Sequence, residues 1–270
     1  MHDLILNVEK KGDIYYPVNI QEKISIPNYD HDIFCDVEEN SFWFLHRNKC
    51  IASLIQSFAP NDTLIDIGGG NGFTSYFLKK QGIKSIVVEP GQQGAYNASK
   101  RGIETVCGAI DELSFNKSNV KSIGLFDVIE HIEDDLGFLK KIYDISSEGV
   151  KVFVAVPAYQ FLWSDWDNYV DHYRRYNLTR LSQVLKDAGF KVEYSSYYFQ
   201  ILTLPIFLLR ALPYRIGYHQ KIIKENIQKD NDYRNFFQRF IQAFLNNELK
   251  KIQLLKKLNY GASIILVATK

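Results

Sequence analysis

At 270 residues the chain has room for one large α/β domain, or for a domain carrying a sizeable insertion. Its 32 lysines and arginines against 31 aspartates and glutamates leave a net charge of +1, so no electrostatic footprint for nucleic acid is present. The three cysteines, Cys35, Cys50 and Cys107, are scattered and odd in number. Neither a disulfide framework nor a CxxC metal pair is expected, and a reducing cytoplasm is the simplest setting.

Met1-His2-Asp3 lacks the basic start and apolar stretch of a signal peptide. The longest uncharged run, 194–209, is shorter than the roughly 20 residues that span a bilayer, and Pro205 interrupts it. No transmembrane helix is expected. Residues 3–28 alternate loosely about Lys11-Gly12-Asp13, so 1–37 reads as an N-terminal arm or hairpin. From Glu38 the spacing of Phe42, Trp43, Leu45, Cys50, Ile51, Leu54, Ile55 and Phe58 predicts a helix over the sheet edge, stopped by Pro60-Asn61-Asp62.

The next stretch organises the chain. Leu64, Ile65 and Ile67 form a buried-strand pattern that ends in Asp66-Ile67-Gly68-Gly69-Gly70-Asn71-Gly72 and continues into helical spacing at Phe73, Phe77 and Leu78. Glycines let the backbone turn and approach a ligand closely. The helix behind them opens with unpartnered N–H groups. A dinucleotide loop wants glycine at its sixth position, where this chain has Phe73, so an NAD-linked oxidoreductase is disfavoured. The second strand, 85–88, ends in Glu89, placed to accept from both ribose hydroxyls of an adenosine-like ligand.

A helix at 93–100 leads to a third strand at 104–107 and then Gly108-Ala109-Ile110-Asp111. Strand four, 121–126, ends in Asp127-Val128-Ile129-Glu130-His131. A helix at 136–143 and a fifth strand at 150–156 follow. The loop beyond runs Val156-Pro157-Ala158-Tyr159-Gln160-Phe161-Leu162-Trp163-Ser164-Asp165-Trp166-Asp167, then His172-Tyr173-Arg174-Arg175-Tyr176. Long loops after strands carry function, although Arg174 and Arg175 could equally pin the loop to Asp165, Asp167 or Asp171. After a helix at 181–189 and a sixth strand at 191–198 comes an apolar interlude with Pro205 and Pro213. It includes a helical repeat of Phe237, Phe240, Ile241, Phe244, Leu245, Ile252 and Leu255, and the final strand closes the chain at 261–268. Strand and helix alternate, so an open, doubly wound α/β sheet is expected.

The Gly68, Gly70, Gly72 pattern resembles the first motif of the class I S-adenosylmethionine (SAM) dependent methyltransferases. Asp127 to His131 matches their frequent Asp-Val-Leu-Glu-His with one conservative change, and the Phe42-Trp43-Phe44…Arg47-Asn48 pattern also recurs among them. The 156–176 segment is similar to the Val-Pro-Ala…Leu-Trp…Asp…His-x-Arg-Arg-Tyr signature of a bacterial and archaeal subgroup, type 11/12-like, and the likeness extends over about 42–270. The resemblance implies a seven-stranded Rossmann-like sheet of order 3-2-1-4-5-7-6 with strand seven antiparallel. The SAM-binding domain would comprise 38–201 and 260–270, with 202–259 a helical insertion or cap.

It also implies site roles. Asp66, Gly68, Gly69, Gly70 and Gly72 would hold the methionine part of SAM, Glu89 its ribose, and Asp127 would stand at the same edge. An acid that reaches adenine in the family is missing at Ala109, so either Asp111 or main-chain groups near Ile110 replace it. His131 and His172 are the candidate catalytic bases, and Trp163, Asp167, Arg174, Arg175 and Tyr176 the candidate substrate contacts. Asp167 and His172 hint at metal assistance, but two dispersed ligands assign no metal. The expected reaction is methyl transfer to a small-molecule acceptor: a hydroxyl of a saccharide, lipid-linked or natural-product-like compound. A homodimer and peripheral membrane contact stay open, as does a non-catalytic SAM-binding scaffold.

Overall fold

Nine strands form one sheet within the residues that the computed structural model describes: 1, 3–18, 41–219 and 236–270, with the backbone alone for 236–240. In chain order they are Val8–Lys11 (β1), Ile14–Pro17 (β2), Leu64–Ile67 (β3), Ser85–Glu89 (β4), Glu104–Cys107 (β5), Ser122–Phe126 (β6), Lys151–Pro157 (β7), Lys191–Tyr198 (β8) and Ser263–Thr269 (β9). The helices are Phe42–Phe58 (α1), Phe73–Lys80 (α2), Gln92–Lys100 (α3), Asp135–Ile145 (α4), Asp165–Tyr169 (α5), Leu178–Asp187 (α6), Gln200–Ile206 (α7), Leu212–Arg215 (α8) and Phe236–Gln253 (α9).

The sheet runs β1-β2-β5-β4-β3-β6-β7-β9-β8. From β5 to β8 this is the expected order 3-2-1-4-5-7-6, and β9 pairs antiparallel with both β7 and β8. The strand count is a correction. The amino-terminal hairpin adds two strands, because Ile14 and Tyr15 of β2 pair in parallel with Thr105 and Val106 of β5. An otherwise open sheet edge is thereby covered. Cys35 and the rest of 19–40 lie outside the described residues.

The central strands are buried on both faces, which is why they read as continuous apolar runs. Their side chains alternate between two cores. Ile65, Ile67, Val152 and Val154 join α4 and α6 through Leu139, Ile142, Leu181 and Leu185. Leu64, Phe153, Ala155 and Val267 join α1 and α9 through Ile51, Leu54, Ile55, Ile241, Leu245 and Ile252. Each such fully buried side chain contributes roughly 1.5–3 kcal/mol. Strand order reverses at β3, which has β4 on one side and β6 on the other; ligands bind beyond the strands' carboxyl ends at such a reversal.

The described parts of 202–259 are mostly helical, but the buried stripe differs from the expected one. In α9 the inward positions are Ile241, Leu245, Glu248 and Ile252, one face of a 3.6-residue repeat. Phe244 and Leu255 point outward, while Phe237 and Phe240 lie outside the described side chains. Pro205 sits inside α7 without ending it, and a π-turn at Phe207–Ala211 carries the chain into α8. No helix among the described residues is long and apolar enough to cross a membrane.

Candidate active site at the carboxyl ends of the strands

β3 delivers Asp66 and the glycine turn to the point of strand reversal. Gly68, Gly70 and Gly72 have φ of 69°, 52° and 72°, the left-handed region that glycine enters at least cost. Their surroundings differ. A Cβ at Gly68 would stand 2.9 Å from Val128 and one at Gly72 2.7 Å from Ala98, whereas one at Gly70 would meet nothing within 4 Å. Two of the glycines are thus required by packing, and Gly70 borders open space. Glu89 is buried beside it, accepting from the N–H groups of Gly70 (2.8 Å) and Gly91 (2.7 Å). Asp66 is 1% exposed and accepts from Ser75 Oγ at 2.7 Å, so it braces the turn from beneath. Burial pushes its carboxyl up to about 6.

β6 delivers the second group. Asp127 takes φ of 55°, and its Oδ2 lies 3.0 Å from Nε of the buried Arg47 on α1. Beyond it, a tight turn at Ile129–His131 turns Glu130 inward, where it is completely buried. The ring of His131 lies 4.6 Å from that of His172, edge to face. Burial and the neighbouring His172 pull His131 down to about 4, leaving it neutral at ordinary pH.

The loop from Ala158 to Tyr176 folds back across these strand ends. Asp167 is the pin that holds it. Its carboxylate accepts from Arg175 Nε (2.6 Å) and Nη2 (3.0 Å), from Ser164 N (2.9 Å), and contacts His172 Nδ1 at 2.9 Å. The Tyr173 N–H donates to the Glu130 carbonyl at 2.8 Å, tying the loop to the β6 turn. Asp127, Tyr159 and Asp171 all have positive φ here, conformations that cost on the order of 1–3 kcal/mol each and cluster at functional sites. The helical segment after β8 lies against the same loop. The Phe207 and Phe161 rings are 6.0 Å apart, Arg210 stacks over Trp166, and Asn168 Nδ2 donates to the Tyr214 hydroxyl at 3.2 Å.

Not every expected residue arrives at the site. Asp111, expected at the adenine, is 62% exposed and paired with Lys141 of α4 at 2.7 Å. Asp167, Arg175 and Tyr176, expected as substrate contacts, are closed off. The first two bond each other and neighbouring loop groups, and the fully buried Tyr176 donates its hydroxyl to Asp135 at 2.7 Å. Arg174 pins the loop as well, through Asp135 (2.8 Å) and the Glu133 carbonyl (2.6 Å), rather than through Asp165, Asp167 or Asp171. Trp163 is half-buried and donates to Asn168 at 3.1 Å. Two residues that the sequence offers no site role for are buried here: Arg47 and Glu130. A cleft of about 610 Å³ lined by Met1, Lys84 and Glu104 lies at the opposite, amino-terminal ends of the strands and holds none of these groups.

A family model described as a methyltransferase domain matches residues 43–195. Among curated proteins none matches the chain in sequence. Several solved structures share its fold. A phosphoethanolamine N-methyltransferase of Haemonchus contortus bound to SAM superposes with a TM-score of 0.53 at 19% identity over 95% of this chain, which spans 61% of that enzyme's length. A SAM-dependent methyltransferase of Archaeoglobus fulgidus gives 0.50 at 16% identity, over 85% of this chain and 100% of its own. The plantazolicin methyltransferase BpumL with S-adenosylhomocysteine gives 0.55 at 13% identity, over 91% of each chain. At these identities the likeness is one of fold. The matched segment covers more than half of the sequence, and by it this chain belongs to the methyltransferase-domain family, with the Rossmann-like sheet of class I.

Proposed function

We propose that this protein transfers a methyl group from SAM to a small-molecule acceptor, a hydroxyl of a saccharide, lipid-linked or natural-product-like compound. The observation that carries the reading is the open space at Gly70 with the Glu89 carboxylate held beside it. A glycine there leaves room for a ligand against the main chain, and Glu89 is placed to accept from ribose hydroxyls. SAM supplies the electrophilic sulfonium methyl. The chain's own part is alignment at the strand ends. The Gly68–Gly72 main chain holds the amino-acid portion, Asp66 supports that turn through Ser75, and Asp127 is steadied by Arg47 at the neighbouring strand end.

His131 and His172 act on the acceptor in this reading. Alanine at either should lower turnover far more than SAM affinity, and full activity in both variants would return them to a structural role. Residues 202–259 serve as a cap on the acceptor side. Support comes from the contacts of Phe207, Arg210 and Tyr214 with the loop that carries Phe161, Trp166 and Asn168. The experiment is mass spectrometry of small-molecule pools incubated with the enzyme and SAM. A methylated product that requires both supports the proposal, and conversion of SAM-free pools with NAD would sink it.

A further inference from the structure

The sequence separates Glu130 and His131 from His172, and the fold brings them together. One ligand atom from each lies within 4.8 Å of the other two. Glu130 is completely buried, and neither of its carboxylate oxygens makes a hydrogen bond. Such a group is rare in a folded protein. As an anion it has only the more distant charges of Arg47 and Arg175 to offset it, and as an acid it has no hydrogen-bonding partner for its proton. His172 Nε2 is 4.0 Å from Oε1, beyond hydrogen-bonding distance.

His172 is held in a particular form. Its Nδ1 lies 2.9 Å from Asp167 Oδ1, so Nδ1 carries the proton toward the carboxylate and Nε2 presents its lone pair on the Glu130 side. Asp167 is itself clamped by Arg175. A carboxylate behind an imidazole fixes the tautomer and orientation of metal-ligating histidines. His131, its ring 4.6 Å from that of His172, offers a second imidazole.

We propose that Glu130, His131 and His172 form a site for one divalent first-row metal ion, with Asp167 and Arg175 holding His172 in its ligating tautomer. Two imidazoles and a carboxylate suit zinc(II). Ligands about 2.1 Å from a tetrahedral zinc stand roughly 3.4 Å apart. The observed 4.0 Å from Glu130 Oε1 to His172 Nε2 therefore closes by less than an ångström, within reach of small side-chain rotations. The dication would give the buried Glu130 carboxylate a direct partner, which it otherwise lacks.

Three protein ligands leave a further position open, as in catalytic zinc sites. On the methyl-transfer reading above, that position holds an oxygen of the acceptor, and the histidines anchor it through the ion rather than by taking its proton directly. This last role rests on that reading; the ion site does not.

The test is metal titration of the full chain after chelator treatment and dialysis, using zinc(II) and, for its visible spectrum, cobalt(II), with no acceptor present. One equivalent per chain is expected. Glu130→Gln and His172→Ala should abolish uptake, and Asp167→Asn should weaken it by roughly tenfold or more. Calorimetry with SAM on the same variants reports folding and cofactor binding separately. Should Glu130→Gln fail to fold, His131→Ala takes its place. Lost zinc with retained SAM binding supports the site. No stoichiometric uptake by the wild type, or equal uptake by the variants, overturns it. Zinc binding without any SAM binding would leave the ion site standing and remove the methyl-transfer reading instead.

Discussion

The imidazole Nε2 of His46 lies 2.8 Å from Glu248 Oε1, joining residues 202 positions apart in the interior between α1 and α9. The same carboxylate accepts from the N–H groups of Phe199 (2.7 Å) and Gln200 (3.0 Å), where the chain bends out of β8 with φ of 62° at Phe199. One buried acid on α9 thus satisfies a bend after β8 and a histidine on the helix that carries Arg47.

Replacing Glu248 by alanine strands a buried histidine and two main-chain donors. The loss should be on the order of 3–5 kcal/mol, with a smaller loss for Glu248→Gln, which keeps one acceptor oxygen. Denaturant unfolding measures both. An alanine variant within about 0.5 kcal/mol of wild type would show that α9 is held by its apolar face alone.

The glycines should separate by position. Alanine at Gly72 would drive its Cβ to 2.7 Å from Ala98, so that variant should lose stability by about 1–3 kcal/mol through overpacking and strain. Alanine at Gly70 meets no protein atom and should lose only the roughly 1–2 kcal/mol of left-handed strain. A valine at Gly70 should abolish cofactor binding in a folded protein. Thermal melts paired with ligand titration distinguish the two positions; cofactor binding that survives Gly70→Val would mean that the open space is not ligand space.

Asp66 should give the ligand-free protein a pH signature. Its carboxyl is raised from 3.8 to about 6, chiefly by burial, with the Ser75 hydrogen bond and Arg47 pulling the other way. The folded state therefore keeps a proton that the unfolded state releases, so stability is highest below about pH 4 and falls until about pH 6. The loss amounts to roughly 3 kcal/mol, and nothing further is lost above that window. Asp66→Asn can still accept from Ser75 and should remove this slope. Burial raises Glu130 in the same direction, so the difference between wild type and variant is the readout. A flat difference curve would mean that Asp66 stays ionised.

Much of this was legible in the sequence because central parallel strands and glycine turns are local signals. The run from Leu64 to Gly72 announces strand, turn and helix within a dozen residues, and the order of the seven core strands follows from the resemblance it opens. What stayed hidden depends on distant pairing. Nothing near Glu130 announces that its side chain turns inward, because exposed Glu-His pairs are common. Arg47 looks like a surface cation until Asp127, eighty positions on (127 − 47), meets it. Glu248 sits on an apolar helical stripe where an acid reads as an interruption, and only its partners on α1 and after β8 explain it. Tyr176 and Arg175 read as substrate contacts because their motif is distinctive, yet the structure spends them on holding the loop.

The central claim is that the glycine turn and Glu89 hold an S-adenosyl ligand. Calorimetric titration of the purified protein with S-adenosylhomocysteine and, separately, with NAD tests it most directly. The account expects saturable binding of S-adenosylhomocysteine at one site per chain, lost in Gly70→Val and strongly weakened in Glu89→Ala, with no heat from NAD. Tight NAD binding with no response to the S-adenosyl ligand would contradict it.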